Sequence, residues 1–481
     1  MDGTCCAPKL PQNVDSQSWA AMQFGHANLG DARRQRRLLL LASAMLENTS
    51  MSLPKQFPTG ADLAAAYRFF SNPQIDPQAI LASHRQLVRQ QALEHPVVLC
   101  IEDDTELDFT HRSALSGLGQ IGDGRGRGLL QHSALAVLPD GWVLGLLDVA
   151  WHAPKPRPKG ETLRQQQSRW NVTDVWPEAV QRIGAWEGPG QLVHVGDRHA
   201  DLFRHMGTIV ATGHHFVVRA MHNRYVDDAA TRVWDKLLSQ QSLGTLTVQV
   251  GTQRDHRGRV TRKGRKAELT IRSTPIRIPP PTNDPRTSSW PEVQAWAILL
   301  QEEHPPKDLA PDQVVQWVLL SSLPVEDFAS ADRVIGYYTC RWGIEEWHRC
   351  YKQGCQIEAS QLDQAADIQR LGAILAVVAV RLLQLRDLAD EQHPEANNPH
   401  ALQAMVPPMY IELVARMCKT SPGDLTPRQF LLRVAKQGGY LGRKNDPRPG
   451  WIVIWRGWND IVQMVRGIEI YQDTRTGDTN V

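Results

Sequence analysis

The chain has 481 residues, a net charge of +2, 42% hydrophobic and 22% charged residues; this near-average composition excludes a disordered or low-complexity chain and leaves length for about three domains of ~150 residues. Seven cysteines without regular paired spacing exclude a secreted disulfide scaffold and point to a reducing compartment. Residues 1–15 lack a basic segment followed by an apolar one, and the longest apolar run, Leu371 to Val380, is far short of the ~20 residues that cross a bilayer, so a cytoplasmic protein is expected.

The small net charge hides basic blocks. Arg33, Arg34, Arg36 and Arg37 form one, Arg254, Arg257, Arg259, Arg262, Lys263, Arg265 and Lys266 a second, and Arg125 with Arg127 lies in the glycine run Gly122 to Gly128. Such blocks suit the phosphates of a long polyanion, and equally a solvated face.

From Ser16 to about Glu94 the pattern is helical. Amphipathic runs cover Arg37 to Leu46, Gly60 to Phe70 and Pro77 to Leu93, with Pro54, Pro58 and Asn72-Pro73 between them, which predicts a compact helical unit whose first long helix is basic. Strands follow. Val97 to Ile101 reads as a short buried strand ending at Glu102, Asp103 and Asp104; Ser133 to Leu138 and Trp142 to Val149 as a hairpin turning at Pro139-Asp140-Gly141; Leu192 to Val195 as a strand ending at Asp197; and His215 to Arg219 as a fifth. With helical stretches between the last strands, this order predicts a mixed α/β sheet with its site at strand ends.

From about Tyr225 to Pro324 the alternating segments Thr245 to Val250, Glu268 to Ser273 and Ala295 to Leu299 are interrupted by the basic run and by Pro279-Pro280-Pro281, a β-rich insertion. A helix through 338–352 follows, then a long apolar helix from about Asp367 to Leu388 that should pack on the sheet. A polar stretch from His393 to Pro408 precedes a helical region, Ile411 to Val465, carrying Trp451, Trp455 and Trp458.

At ~100° per residue, Tyr338, Arg341, Glu345 and Lys352 fall within an arc of roughly 60° on one helix. Tyr337, Cys340, Ile344, Trp347 and Tyr351 share a mostly apolar sector about 80° wide, so the helix has a core side and a chemical side. A carboxylate between cations is a phosphate-handling surface. Cys350 and Cys355 lie five apart on a helix and face different directions, so with His348 they do not read as metal ligands. Asp103 and Asp197 each follow a buried strand, and with Glu345 they make three carboxylates able to converge at one end of the sheet. Hard oxygen donors of this kind hold Mg²⁺, and a pair of ions serves phosphoryl transfer; without metal such acids repel and at least one pKa rises. Alternation puts Asp103 on one strand face and Glu102 and Asp104 on the other, so periodicity alone does not choose between them.

These acids and the helix stripe resemble the Asp-Asp-Glu transposases of cut-and-paste bacterial insertion sequences, in their Tyr-Arg-Glu-Lys group within the insertion-sequence-four family. The resemblance covers nearly the whole chain: Leu29-Gly30-Asp31-Ala32-Arg33-Arg34, Ala66-Tyr67-Arg68-Phe69, Ile101-Glu102-Asp103, Asp197-Arg198 with Ala200-Asp201, Phe216-Val217-Val218-Arg219, Trp317-Val318-Leu319-Leu320-Ser321, Arg341-Trp342 with Ile344-Glu345-Glu346, Val378 to Arg386, and Trp455 with Gly457-Trp458. It implies an α/β fold with an RNase H-like catalytic core at 96–390, the β-rich insertion at 224–325, a helical transposon-end-binding domain at 1–95 and a helical dimerisation domain at 391–481. It also implies that Asp103, Asp197 and Glu345 hold two Mg²⁺ ions, with Mn²⁺ as a substitute, and that Tyr338, Arg341 and Lys352 hold phosphates, with Arg219 and Arg349 as further contacts. Trp317 would stack on a base drawn from the duplex, offsetting its extrusion, and Arg33, Arg34 and Arg37 would contact the end sequence. The implied partners are double-stranded DNA and a second copy of the chain in a synaptic complex, with neither membrane nor nucleotide cofactor. Asp104 departs from the family pattern, which has a neutral hydroxyl residue there. Gly343 inside the helix costs about 1 kcal/mol relative to alanine. A host nuclease that cuts without joining would need no end-recognition domain, a non-catalytic DNA-binding protein no acids, and a glycoside hydrolase with paired carboxylates no Tyr-Arg-Lys stripe.

Overall fold

A computed structural model of the chain describes residues 15–477, apart from 50, 51, 58, 157, 163, 164, 166, 167, 228–230, 256, 258, 308, 392, 444, 445 and 447. The opening segment expected to lack a signal peptide therefore lies outside the described residues, save residue 15.

Five helices open the fold: α1 Ser16–Phe24, α2 Ala32–Glu47, α3 Leu53–Gln56, α4 Gly60–Phe70 and α5 Pro77–Ala92. Their starts are set by side-chain caps. Asp31 accepts from Arg33 N at 2.7 Å, Thr59 from Asp62 N at 3.1 Å, and Asp76 from Gln78 N at 2.9 Å ahead of Pro77 in the first turn. The Asp31 cap starts α2 five residues before the amphipathic run at Arg37, and so brings the whole arginine cluster into the helix. Trp19, Phe24, Leu38, Leu41, Met45 and Phe70 close a core that is continuous with the core of the sheet. Buried Arg370 fastens the two together, donating to Ile75 O at 2.6 Å and Phe70 O at 2.9 Å.

The sheet has ten strands: β1 Val97–Asp108, β2 Gly119–Ile121, β3 Gly126–Val137, β4 Val143–His152, β5 Gln191–Gly196, β6 His215–Arg219, β7 Gly244–Val250, β8 Arg265–Ile278, β9 Val293–Gln301 and β10 Gln316–Ser321. Along it the order is β3-β1-β5-β6-β10-β9-β8-β7, with β4 and the short β2 both paired to the outer side of β3. β1, β5 and β6 run parallel to one another and every other pairing is antiparallel. The hairpin expected at Pro139-Asp140-Gly141 is β3–β4; Gly141 takes φ +93°, and Trp142 N is held by the Asp140 carboxylate at 3.0 Å.

One expectation is revised. β1 does not stop at Ile101, because its antiparallel ladder with β3 continues to Asp108↔Gly128 while its parallel ladder with β5 ends at Ile101↔Val195; Asp103 stands inside a strand on one side and beyond a strand end on the other. The segment expected as a β-rich insertion adds its strands to the same sheet, through β10 pairing with β6.

Helices cover both faces. α6 Val175–Ile183 and α7 Phe203–Ala211 pack on one, with Trp176, Phe203 and Met206 against Phe216, Val218 and Leu320. The short α8 Val233–Leu238 joins them near β8 and β9 through Val233 and Leu237, and the other face carries α9 Phe328–Thr339, α10 Trp342–Arg349 and α11 Ala365–Leu388. α11 is long and apolar enough by composition to cross a membrane, yet most of it is buried within the fold. The chain continues through α12 Pro399–Gln403, α13 Pro408–Cys418, α14 Pro427–Gln437 and α15 Trp451–Gly477. Trp451 and Trp455 stack and are buried, and Trp458 stacks on Tyr410.

Candidate active site

Alternation along β1 sorts its acids as the period of two requires. Glu102 is fully buried on the face covered by α6 and α7, where its carboxylate meets His194 Nδ1 at 2.7 Å; burial pushes it up to about 7 and pushes the His194 imidazole down to about 3. Asp103 points the other way, toward α10, with its side chain 14% exposed. Burial, together with the Asp197 and Asp104 charges beside it, pushes the Asp103 carboxyl up to about 7 against the opposing pull of Arg341. Asp104 is raised by burial as well, with His199 Nδ1 3.5 Å away opposing the rise and Asp197 adding to it. Asp197 ends β5 and caps a short 3₁₀ turn, accepting from His199 N at 2.7 Å.

The third acid arrives on a helix that is not the single rod expected. Between Tyr338 and Ile344 the backbone tightens to i→i−3 bonds, Arg341 N to Tyr338 O at 3.1 Å, Gly343 N to Cys340 O at 3.0 Å and Ile344 N to Arg341 O at 3.1 Å, which separates α9 from α10. Beyond Arg349 it widens into a π turn, Cys350–Gly354, closed by Cys355 N to Cys350 O at 2.9 Å. Gly354 lets the Trp455 ring pack directly on this turn, since a Cβ there would meet it at 2.3 Å. The core side is nonetheless as read: Ile344, Trp347 and Tyr351 are fully buried, and the Trp347 and Tyr351 rings stack 5.4 Å apart.

Arg341 is the hinge of the site. Its guanidinium donates to Glu345 and lies 3.8 Å from the Asp103 carboxylate, so one cation spans the strand acid and the helix acid. Tyr338, one turn earlier, is buried; burial raises its hydroxyl, while Arg219 and Arg341 oppose the rise. Trp317 on β10 meets the Tyr338 ring edge-on at 5.5 Å, and Arg219 lies over the Trp317 ring at 5.6 Å. The register Arg219↔Leu319 sets Trp317 two residues away on the same strand face.

Lys352 and Arg349 stand apart from this group. Carried inside the π turn, Lys352 reaches along β1, donating to Glu106 O at 2.5 Å and pairing with Glu358 at 3.6 Å. Arg349 is exposed and bonded to Glu346 at 2.6 Å, and Glu346 also pairs with Arg386 of α11, away from Asp103.

The N-terminal arginines divide likewise. Arg33 is exposed, its guanidinium against Asp31, and Arg36 is exposed with no ion pair among the described residues. Arg34 and Arg37 serve the fold: Arg34 holds Leu29 O at 3.1 Å and bonds Gln74, while Arg37 pairs with Asp62 at 3.1 Å. Arg36 is thus the residue passed over by the sequence choice of Arg33, Arg34 and Arg37. The spacing held the clue: Arg34, Leu38, Leu41 and Met45 share one helical stripe with the core, and Arg33 and Arg36 lie off it. Four arginines in the first turns of α2 work against the helix dipole, a cost that an anionic partner at the same end repays. Of the other basic blocks, the second flanks a two-stranded hairpin, Gln253–Arg254 with Val260–Arg262, where Arg265 is bound by Glu302; Arg127 holds Leu115 O at 2.8 Å.

Residues 16–75, spanning α1 to α4, match the family model for transposase DNA-binding. The match covers about an eighth of the chain. It supports DNA as the partner of these helices and suggests a DNA transposase.

Proposed function

We propose that the chain is an Asp-Asp-Glu transposase of the Tyr-Arg-Glu-Lys group, with an RNase H-like core, that excises a DNA element by hydrolysis and hairpin formation and joins it to target DNA as a synaptic dimer. One observation carries this reading: the Arg341 guanidinium lies 3.8 Å from the Asp103 carboxylate and pairs with Glu345, so the strand acid and the helix acid meet at one cation, and burial with the Asp197 charge raises Asp103. The strand order β4-β3-β1-β5-β6, with three antiparallel strands followed by two parallel additions, supports the core. The exposed Ile452, Met464 and Ile470 of α15 support a second copy docking there.

The side chains fit a divalent cation. The donors are hard carboxylate oxygens, and burial together with the Asp197 and Asp104 charges raises Asp103, a charge crowding that a cation relieves. Asp103, Asp197 and Glu345 would hold Mg²⁺ or Mn²⁺, which when bound activates water or a 3′ hydroxyl and neutralises charge on the phosphoryl oxygens. Arg341, released from the carboxylates, would then turn to a DNA phosphate, with Arg219 and the Tyr338 hydroxyl beside it. Trp317, already in ring contact with Tyr338 and Arg219, offers the face on which an extruded base would stack. Lys352 holds the strand from which Asp103 projects through the Glu106 carbonyl, and exchanges that bond for a phosphate when DNA enters. The match at 16–75 disfavours a host nuclease that needs no end recognition.

Purified protein with Mg²⁺ is expected to convert a plasmid carrying the element's inverted ends into an excised linear fragment. Glu345→Gln should bind those ends and leave them uncut; normal cutting by that variant removes Glu345 from the site.

A further inference from the structure

We propose that Cys100, Glu102 and His194, with His205 completing the set, form a second and structural metal site, for a borderline divalent ion of the Zn²⁺ class, on the sheet face opposite the catalytic carboxylates. Cys100 and His194 are direct partners in the parallel ladder of β1 and β5, and alternation returns Glu102 to the same face two residues later. The Cys100 sulfur, a Glu102 oxygen and a His194 ring nitrogen all lie within 4.8 Å of one another, and all three residues are fully buried. His205 brings a fourth donor from α7, its Nε2 3.5 Å from the Glu102 carboxylate.

Two features point to an ion. Glu102 Oε1 and His205 Nε2 are buried and make no hydrogen bond, an arrangement that costs free energy unless something else satisfies them. His194 is anchored through Nε2 by His214 Nδ1 at 3.0 Å and turns Nδ1 toward the Glu102 carboxylate at 2.7 Å; an ion entering here would replace that second hydrogen bond and keep the first, the usual posture of a metal-bound histidine. Sulfur, nitrogen and oxygen at 2.0–2.3 Å from a tetrahedral ion lie roughly 3.3–3.7 Å apart, so closure needs side-chain movements of about 1 Å. A thiolate and a carboxylate neutralise a divalent ion where no other countercharge is needed. The ion would staple β1 to β5 immediately behind Asp103 and Asp197 and tie α7 to both, holding the register that brings those two acids together.

The donor sets separate the two sites chemically, since sulfur and imidazole do not suit Mg²⁺. The test uses the full chain, stripped of metal and titrated with Co²⁺ in excess Mg²⁺. One equivalent per chain is expected to produce a thiolate-to-cobalt charge-transfer band that Zn²⁺ abolishes, that survives Asp103→Asn and that is lost in Cys100→Ala. No such band in the wild-type chain, or one that persists in Cys100→Ala, overturns the site and leaves the hydrogen-bonded chain Glu102–His194–His214 as its whole content. If Cys100→Ala does not fold, X-ray absorption at the zinc edge of the wild-type chain decides: one sulfur among nitrogen and oxygen donors is expected, and a shell without sulfur overturns the proposal. Neither result depends on whether the protein cuts DNA.

Discussion

Replacing Asp103 by asparagine should stabilise the protein in the absence of divalent ions, and increasingly so as pH rises to 7. Burial and the neighbouring Asp197 and Asp104 charges push Asp103 up to about 7 from an ordinary value of 3.8. That rise of about three units, at about 1.4 kcal/mol each, sets a ceiling of about 4 kcal/mol on the cost of ionising it in the folded site. Asparagine also loses the Arg341 contact, so about 2 kcal/mol is expected. Because the folded-state value lies above the unfolded one, the contribution of Asp103 is intact below about pH 4, drains away as the unfolded chain ionises first, and is gone above pH 7. The advantage of Asp103→Asn should therefore vanish near pH 4, grow by up to about 1.4 kcal/mol per unit, and level off above 7. Urea midpoints of both proteins at pH 4.5, 6 and 8 in chelator measure it. Equal midpoints at pH 8, or a difference that does not grow with pH, would refute the crowding of negative charge at Asp103. Mg²⁺ at pH 8 should raise the wild-type midpoint and leave that of Asp103→Asn nearly unmoved.

Three further outcomes are expected. Arg33→Ala and Arg36→Ala should each weaken end binding and reduce the slope of log affinity against log salt by about 0.9, whereas Arg34→Ala, which frees Leu29 O and Gln74, should lower stability instead; anisotropy titrations at several salt concentrations separate the two behaviours. Arg370→Met strips buried carbonyls at Ile75 and Phe70 of their donor and should cost about 2–3 kcal/mol in urea denaturation. Gly343→Ala meets open space and should stabilise by roughly 0.4–1 kcal/mol, since it removes backbone freedom from the unfolded chain without a clash.

Local patterns were legible where one period governed. Gly60 to Phe70, His215 to Arg219 and the turn at Pro139-Asp140-Gly141 emerged where apolar spacing and turn residues put them. The extent of β1 was not legible, because its continuation to Asp108 depends on β3, a partner about thirty residues away whose ladder outlasts that of β5. A uniform 100° step could not foresee a rod over-wound at 340–344 and under-wound at 350–354, so Lys352 lies further along β1 than the ideal arc allows. The Cys100–Glu102–His194 cluster was invisible for a similar reason: it exists only in the register of two parallel strands.

On the proposed reading, the arrangement of charge also explains how an acid cluster so costly to fold would persist before metal and DNA arrive. Asp103, Asp104 and Asp197 repel one another in a buried setting, and Arg341, itself only 14% exposed, spans Asp103 and Glu345 from the helix side. A guanidinium there does part of the neutralising that a cation would do, and Lys352, bonded to the Glu106 carbonyl three residues further along β1, keeps a second positive charge in reserve. Both would be displaced toward phosphate if ions and DNA bind as proposed, and the same two side chains would then stabilise the metal-free site and complete the loaded one. On this reasoning Arg341→Ala should lower the midpoint in chelator, where the acids lose their counter-ion, and lower it less in Mg²⁺, while DNA cutting fails in both. If the loss were equal with and without Mg²⁺, Arg341 would be acting as an ordinary structural pair, and its role as a stand-in cation would fall.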